Sequence, residues 1–194
     1  SSKLCFGSLT DNEIIRKINN LLNELDLYEV RNLKVGNVLN KFISGGQRKR
    51  LNIALELIRE PLILFVDEPT SGLSSNDSIT VMELLKELTY RGILVIVNIH
   101  QPSSEIFKLF DKLMVIDKGG RVIYYGNPLE AITYFKKSYN LIGYEKTECT
   151  SCGNINPELI LQIVEAKEIN EQGYYTDNRI ISPEEWYNSY KKNI

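Results

Sequence analysis

Three short segments hold the groups in this chain that can do chemistry on an anion. Ser44-Gly45-Gly46-Gln47 opens a helix, Asp67-Glu68 ends an apolar run, and His100 ends a second one. A serine with glutamine three residues on is a capping box, worth about 1 kcal/mol of helix stability by itself. The same glycines let an anion approach the free N–H groups and positive end of the helix. Both uses are compatible with the residues alone. Two adjacent carboxylates at a strand's C-terminal edge lie where ligands bind in open parallel sheets. Asp67 can hold Mg²⁺ through its oxygen or a bound water, and Glu68 can orient or deprotonate an attacking water; the alternative is an exposed acidic turn. His100 is the only histidine in the chain. Parallel strand ordering puts it on the same edge as Asp67, where an imidazole can hydrogen-bond a phosphate; otherwise it is a capped or surface residue.

The elements that must position these groups follow from periodicity. Asp11 can cap a helix whose apolar face is Ile14, Ile15, Ile18, Leu21, Leu22 and Leu25. Residues 28 to 42 show no clear period and read as a loop. The next helix starts at Ser44, with Leu51, Ala54, Leu55 and Ile58 as its expected buried stripe, and Pro61 ends it. Leu62 to Val66 and Ile93 to Ile99 read as strands buried on both faces. Between them, a Ser/Gly/Asn-rich turn over 70–78 precedes a helix with Val81, Leu84, Leu85 and Leu88 inward, and Gly92 stands where helices commonly end.

Beyond His100, a short helix carries Ile106, Phe107 and Phe110. Leu113 to Ile116 and Val122 to Tyr125 flank Lys118-Gly119-Gly120, a hairpin signal. Pro128 can open a helix to about Tyr139. Residues 143 to 154 read as a linker, Pro157 to Lys167 as a helix, and Ser182-Pro183-Glu184-Glu185 as a capping box with proline at the first helical position. Helices alternating with apolar strands imply an α/β domain with parallel pairing.

Composition narrows the classes. With 194 residues, 43% hydrophobic and 25% charged, the chain is long enough for one domain with a core and too short for two large ones. A net charge of -2 argues against the basic surface of a nucleic-acid binder. No apolar run approaches the ~20 residues of a membrane helix, and no secretory leader opens the chain, so it is expected to be soluble with any membrane role supplied by an attached or separate partner. Three cysteines do not make a disulfide scaffold. Cys149 and Cys152 form a lone C-x-x-C, either a turn ending at Gly153 or half of a metal or redox site with Cys5 and His100 as the other candidates.

Taken together, the three segments resemble the second half of an ABC-transporter nucleotide-binding domain. Ser44-Gly45-Gly46-Gln47 matches the signature, Leu62 to Glu68 the Walker B strand, Ser71-Gly72-Leu73-Ser74 the D-loop, and His100 the switch histidine. Arg48-Lys49-Arg50, Asp67-Glu68-Pro69-Thr70-Ser71-Gly72-Leu73 and Ile99-His100-Gln101-Pro102 are most similar to the G subfamily, the White/pleiotropic-drug-resistance type. The likeness covers about residues 1 to 137. It implies a partial P-loop NTPase fold with parallel core strands and a helical subdomain over 1–140, followed by a linker and C-terminal helical extension over 141–194. By the same resemblance, Ser44, Gly45, Gly46 and Gln47 contact, in trans, ATP held by a second nucleotide-binding domain. Asp67 serves Mg²⁺, Glu68 is the general base, and His100 senses the γ-phosphate. Arg48 to Arg50 are either a solvated helix face or a contact with membrane domains.

The implied function is the ATP-hydrolysing engine of a G-type transporter, at the cytoplasmic face of a membrane. Its membrane domain is expected on the same full-length chain, and no nucleic-acid partner is expected. Two features depart from the family pattern. Ser74 stands where the D-loop normally carries aspartate. No G-x-x-x-x-G-K-[ST] phosphate loop, adenine-stacking loop or glutamine loop occurs, so the chain is expected to be part of a longer domain and inactive alone. Two other readings are a soluble ABC-type ATPase acting on nucleic acid or ribosomes, and a non-catalytic module in which residues 141 to 194 do the work, with Trp186, Tyr187 and Tyr190 as either a docking face or a cover on the domain's own core.

Overall fold

Thr10, in extended conformation, opens the first helix of the described residues, α1 (Asp11–Glu24), through a capping box with Glu13. The cap is therefore Thr10 and not Asp11, which lies inside the first turn with its carboxylate at the positive end of the helix. The computed structural model describes residues 9–36, 42–139 and 153–192. The expected Cys149/Cys152 pair and most of the 143–154 linker lie outside these residues. The chain divides into two compact units, Ser1–His100 and Gln101–Ile194.

In the first unit a single 3₁₀ turn (Tyr28–Val30) follows α1 within the segment expected to be loop. Helix α2 (Gly45–Leu57) is capped by Ser44 and buries Gly46, Arg50, Ile53, Ala54 and Leu57. Leu55, expected inside, is exposed, and Leu51 is only half-buried. Apolar residues fill much of this helix's circumference, so sequence periodicity left the phase open; the packing of α2 on the helix that follows selects the Gly46 side.

Strand β1 (Ile63–Asp67) and strand β2 (Leu94–Asn98) pair in parallel, with Ile63 opposite Leu94 and Asp67 opposite Asn98. They are joined by α3 (Ser75–Tyr90), which buries Val81, Leu84, Leu85 and Leu88 as expected and packs on both α2 and β2. The α3 helix ends in a Schellman motif: Gly92, at φ +87°, donates to Thr89 O, and Ile93 N–H donates to Leu88 O. The expectation that both strands are buried on both faces is corrected. Leu64 is buried, but its neighbours in register on the other face, Ile63 (50% exposed), Phe65 (74%), Leu94 (56%) and Ile96 (44%), are open. The reason is that side chains alternate across a strand, and only one face of this two-stranded sheet is covered among the described residues.

The second unit begins with α4 (Ser104–Lys108), then the antiparallel hairpin β3 (Leu113–Asp117) and β4 (Arg121–Gly126), then α5 (Pro128–Ser138). Helix α6 (Glu158–Val164) stops short of the expected Lys167. That residue instead starts a second hairpin, β5 (Lys167–Ile169) with β6 (Tyr175–Arg179), which the polar, aperiodic sequence did not suggest. The last helix, α7 (Pro183–Lys192), carries the Ser182/Glu185 capping box.

One core joins Phe107, Ile123, Phe135, Ile160, Val164 and Trp186. Trp186 is 1% exposed and meets Phe135 edge-on at 5.3 Å, so it is a core residue of this unit and not a docking face. At the rim of the unit, Arg179 on β6 ion-pairs with the buried Asp117 at 2.7 Å.

Candidate functional site

Strand β1 delivers Asp67 to the C-terminal edge of the parallel pair. There Asn98 Nδ2 donates to Asp67 Oδ1 at 2.7 Å, fixing the carboxylate. Glu68 N–H donates to Asn98 O at 2.8 Å, the last rung before the chain leaves the sheet. It leaves abruptly: Glu68 has φ +42°, left-handed backbone that costs a non-glycine residue about 1–3 kcal/mol. The turn continues through Ser71 N–H donating to Glu68 O (3.2 Å) and Leu73 N–H donating to Thr70 O (3.2 Å), with Gly72 at φ +73°. Ser74 ends it by capping α3. Its Oγ accepts from Asp77 N–H at 3.2 Å and donates to Asp77 Oδ2 at 2.9 Å. Serine thus keeps the helix start at this position without a charge. His100 lies two residues past Asn98 on the same edge, and both His100 and Glu68 are exposed.

The start of α2 completes the arrangement. Ser44 Oγ accepts from Gln47 N–H at 3.1 Å, and Gln47 Oε1 accepts from Ser44 N–H at 2.9 Å. The box leaves the N–H groups of Gly45 and Gly46 at the free end of the helix. These glycines have a packing reason as well. A Cβ on Gly45 would stand 3.1 Å from Leu73 Cδ2, and one on Gly46 would stand 2.7 Å from Asp77 Oδ1. The helix start is therefore seated directly on the 72–77 turn.

A second tie runs from Lys49, whose Nζ donates to Glu68 O at 2.8 Å. Its neighbours are also engaged: Arg48 donates to Val35 O at 3.2 Å, and the buried Arg50 lies 3.5 Å from Asp26. Each of the three consecutive cations has a partner within its own unit, with Arg48 and Lys49 half-exposed and Arg50 buried. Ser44 to Gln47, Asp67-Glu68 and Ser71 to Ser74 thus share one surface of the first unit, with His100 on the sheet edge.

Chemically, the edge offers hard carboxylate oxygens. Among the described residues no group of three His, Cys, Asp or Glu side chains comes together as a metal cage. One carboxylate beside open solvent fits Mg²⁺, which usually takes one or two carboxylates and completes its shell with water and phosphate oxygens. Asn98, Lys49 and Asp77 are the members that sequence reasoning missed. Each acts through a partner 31, 19 or about 30 positions away, respectively, so local patterning carries no signal for it.

Comparison with known proteins fits this geometry. A profile of the ABC transporter family matches residues 5–71, and one of the ABC-2 type transporters matches residues 100–144. The broad substrate specificity ATP-binding cassette transporter ABCG2 of Sus scrofa is 44% identical over 137 residues, covering 71% of this chain and 20% of that protein. ABC transporter G family member 2 of Dictyostelium discoideum is 36% identical over 161 residues, covering 82% of this chain and 12% of that protein. This chain belongs to the G-type ABC transporters.

Protein white of Drosophila melanogaster, 37% identical over 169 residues, shares 84% of this ABC-family chain and 23% of its own length. The chain thus spans less than a quarter of these relatives. Among solved structures, cbiO1 from Clostridium perfringens, part of the ABC transporter complex cbiONQ, superposes with TM-score 0.58 at 29% identity, covering 71% of this chain and 55% of that one. The fold is that of an ABC ATPase, α/β with parallel core strands.

Proposed function

We propose that this chain is the signature-to-switch portion of an ATP-hydrolysing domain that powers a G-type ABC transporter at the cytoplasmic face of a membrane. Ser44, Gly45, Gly46 and Gln47 present the α2 N-terminus to the γ-phosphate of an ATP held by a second nucleotide-binding domain. Asp67, oriented by Asn98, would hold Mg²⁺, which would supply positive charge to offset that of the phosphates. Glu68 accepts a proton from the water that attacks the γ-phosphorus, as the bond to the bridging oxygen of ADP breaks. His100 hydrogen-bonds the γ-phosphate from the segment just past the neighbouring strand. Ser71 to Ser74 form the D-loop, on which the signature helix rests. Transport follows from closure of two such domains over ATP, transmitted to a membrane domain on the same polypeptide.

The observation that carries this reading is the seating of the α2 start on the 72–77 turn, with Lys49 reaching Glu68 O. That packing gives an anion-binding helix end and a candidate base a shared rigid support. In the complete transporter, Glu68→Gln is expected to lower ATP turnover at least ~100-fold while nucleotide binding persists, within the range typical of acid–base catalysis. Undiminished turnover overturns the assignment.

The chain alone is expected to be inactive. A helix N-terminus contributes about 0.3–2 kcal/mol toward an anion, whereas micromolar affinity requires about 8 kcal/mol. Calorimetry with Mg-ATP on this chain should show no binding up to millimolar nucleotide. Micromolar binding would mean that the phosphates are held by other residues, and the roles of Ser44, Asp67 and His100 would fall with it.

A further inference from the structure

The cations after the signature have no role in the chemistry set out above, yet one of them reaches its centre. Glu68 must hold φ +42° for its carboxylate to leave the sheet edge in the direction it does, and a glutamate does not hold that backbone without support. Two donors meet its carbonyl: Ser71 N–H at 3.2 Å from within the turn, and Lys49 Nζ at 2.8 Å from α2. The lysine bond is the shorter of the two and is charge-assisted.

We infer that Lys49 is a positioning residue: it clamps the left-handed Glu68 turn to the helix that begins at Ser44, so the base and the phosphate-facing helix end move as one piece. This rests on the proposed role of Glu68 as base, but the clamp itself is a property of the fold. It sets the direction of the Glu68 side chain through its backbone, without Lys49 touching substrate. Arginine can keep such a contact because it also donates from a long cationic side chain; methionine retains the apolar stem and removes the donor.

Two measurements separate the clamp from the base. In this chain, backbone NMR reads the conformation of residue 68. The left-handed Cα and Cβ shifts of Glu68 are expected in the wild type and in Lys49→Arg, and are lost in Lys49→Met with the rest of the spectrum unchanged. In the complete transporter, Lys49→Met is expected to lower kcat about tenfold or more with the KM for ATP within about twofold, and Lys49→Arg to recover most of the loss. Left-handed shifts retained in Lys49→Met overturn the clamp, as does an unchanged kcat in that variant. If Lys49→Met shifts the conformation but Glu68→Gln still turns over ATP, the clamp stands and the assigned base is wrong. Should Lys49→Met fail to fold, Lys49→Leu, which also lacks a donor, is read in the same two assays.

Discussion

Ser44 separates a structural from a functional use of the same hydroxyl. In the fold its Oγ accepts from Gln47 N–H at 3.1 Å, satisfying one of the donors that α2 leaves unpaired. Ser44→Ala removes that acceptor and should cost about 1 kcal/mol, a fall of roughly 2–4 °C in Tm for a chain of this size. Aspartate caps helices as well as serine does, and its charge at the positive helix end adds about 0.3–1 kcal/mol. Ser44→Asp should therefore match or slightly exceed the wild type in stability.

Its effect on turnover should be opposite. A carboxylate on the order of 4 Å from a phosphate charge, at an effective dielectric near 20, costs about 4 kcal/mol. That is roughly a thousandfold, since each 1.4 kcal/mol is a factor of ten. Thermal denaturation of this chain and ATP turnover of the complete transporter read the two effects separately. If Ser44→Asp keeps wild-type turnover, the α2 start is a cap and nothing more, and the phosphate role is refuted. If Ser44→Asp is less stable than Ser44→Ala, the capping geometry itself is wrong.

The second unit makes its own predictions. Trp186→Ala should destabilise the chain by about 3–5 kcal/mol in chemical denaturation, because it empties the site of a fully buried indole packed on Phe135; a loss below ~1 kcal/mol would return Trp186 to the surface. Burial, then the charge of Glu130, pushes the Tyr124 phenol up to about 12, while its hydroxyl donates to Asn127 O at 2.8 Å. In an unfolded chain a tyrosine ionises near pH ~10. Between those values the unfolded state releases a proton that the folded state keeps, so stability present below pH ~10 is lost as pH rises through that window. Tyr124→Phe should flatten this alkaline slope, and an unchanged slope would exclude Tyr124 as its source. At the acid end, the Ser182 backbone N–H, then its hydroxyl, hold the Glu185 carboxyl below its usual range. The start of α7 should accordingly fray as pH falls through that lowered value, visible as a falling protection factor of the Glu185 amide, and a protection factor that does not change with pH would contradict the box.

Much of the site was legible because it is written locally. The α2 start needs only Ser44 and Gln47, three residues apart, and the strand ends at Asp67 and near His100 follow from apolar runs that stop. The Val81, Leu84, Leu85 and Leu88 stripe, the turn at Gly119 and Gly120, and the Ser182/Glu185 box are equally short-range, and each appears in the fold. The ABC family itself was readable from the order of these short motifs.

What tertiary structure alone decided are the links between them. Asn98 holds Asp67 because parallel register sets those two residues opposite each other. Lys49 meets Glu68, and Gly46 leaves room for Asp77, because α2 and α3 pack side by side. The same applies to the phase of α2, to the uncovered Ile63/Phe65/Leu94/Ile96 face, and to the β5–β6 hairpin, whose polar residues carry no strand pattern. Local rules govern hydrogen bonds and caps within a turn or two of chain. Contacts between distant segments depend on which surfaces are buried against each other, and burial is a property of the folded whole.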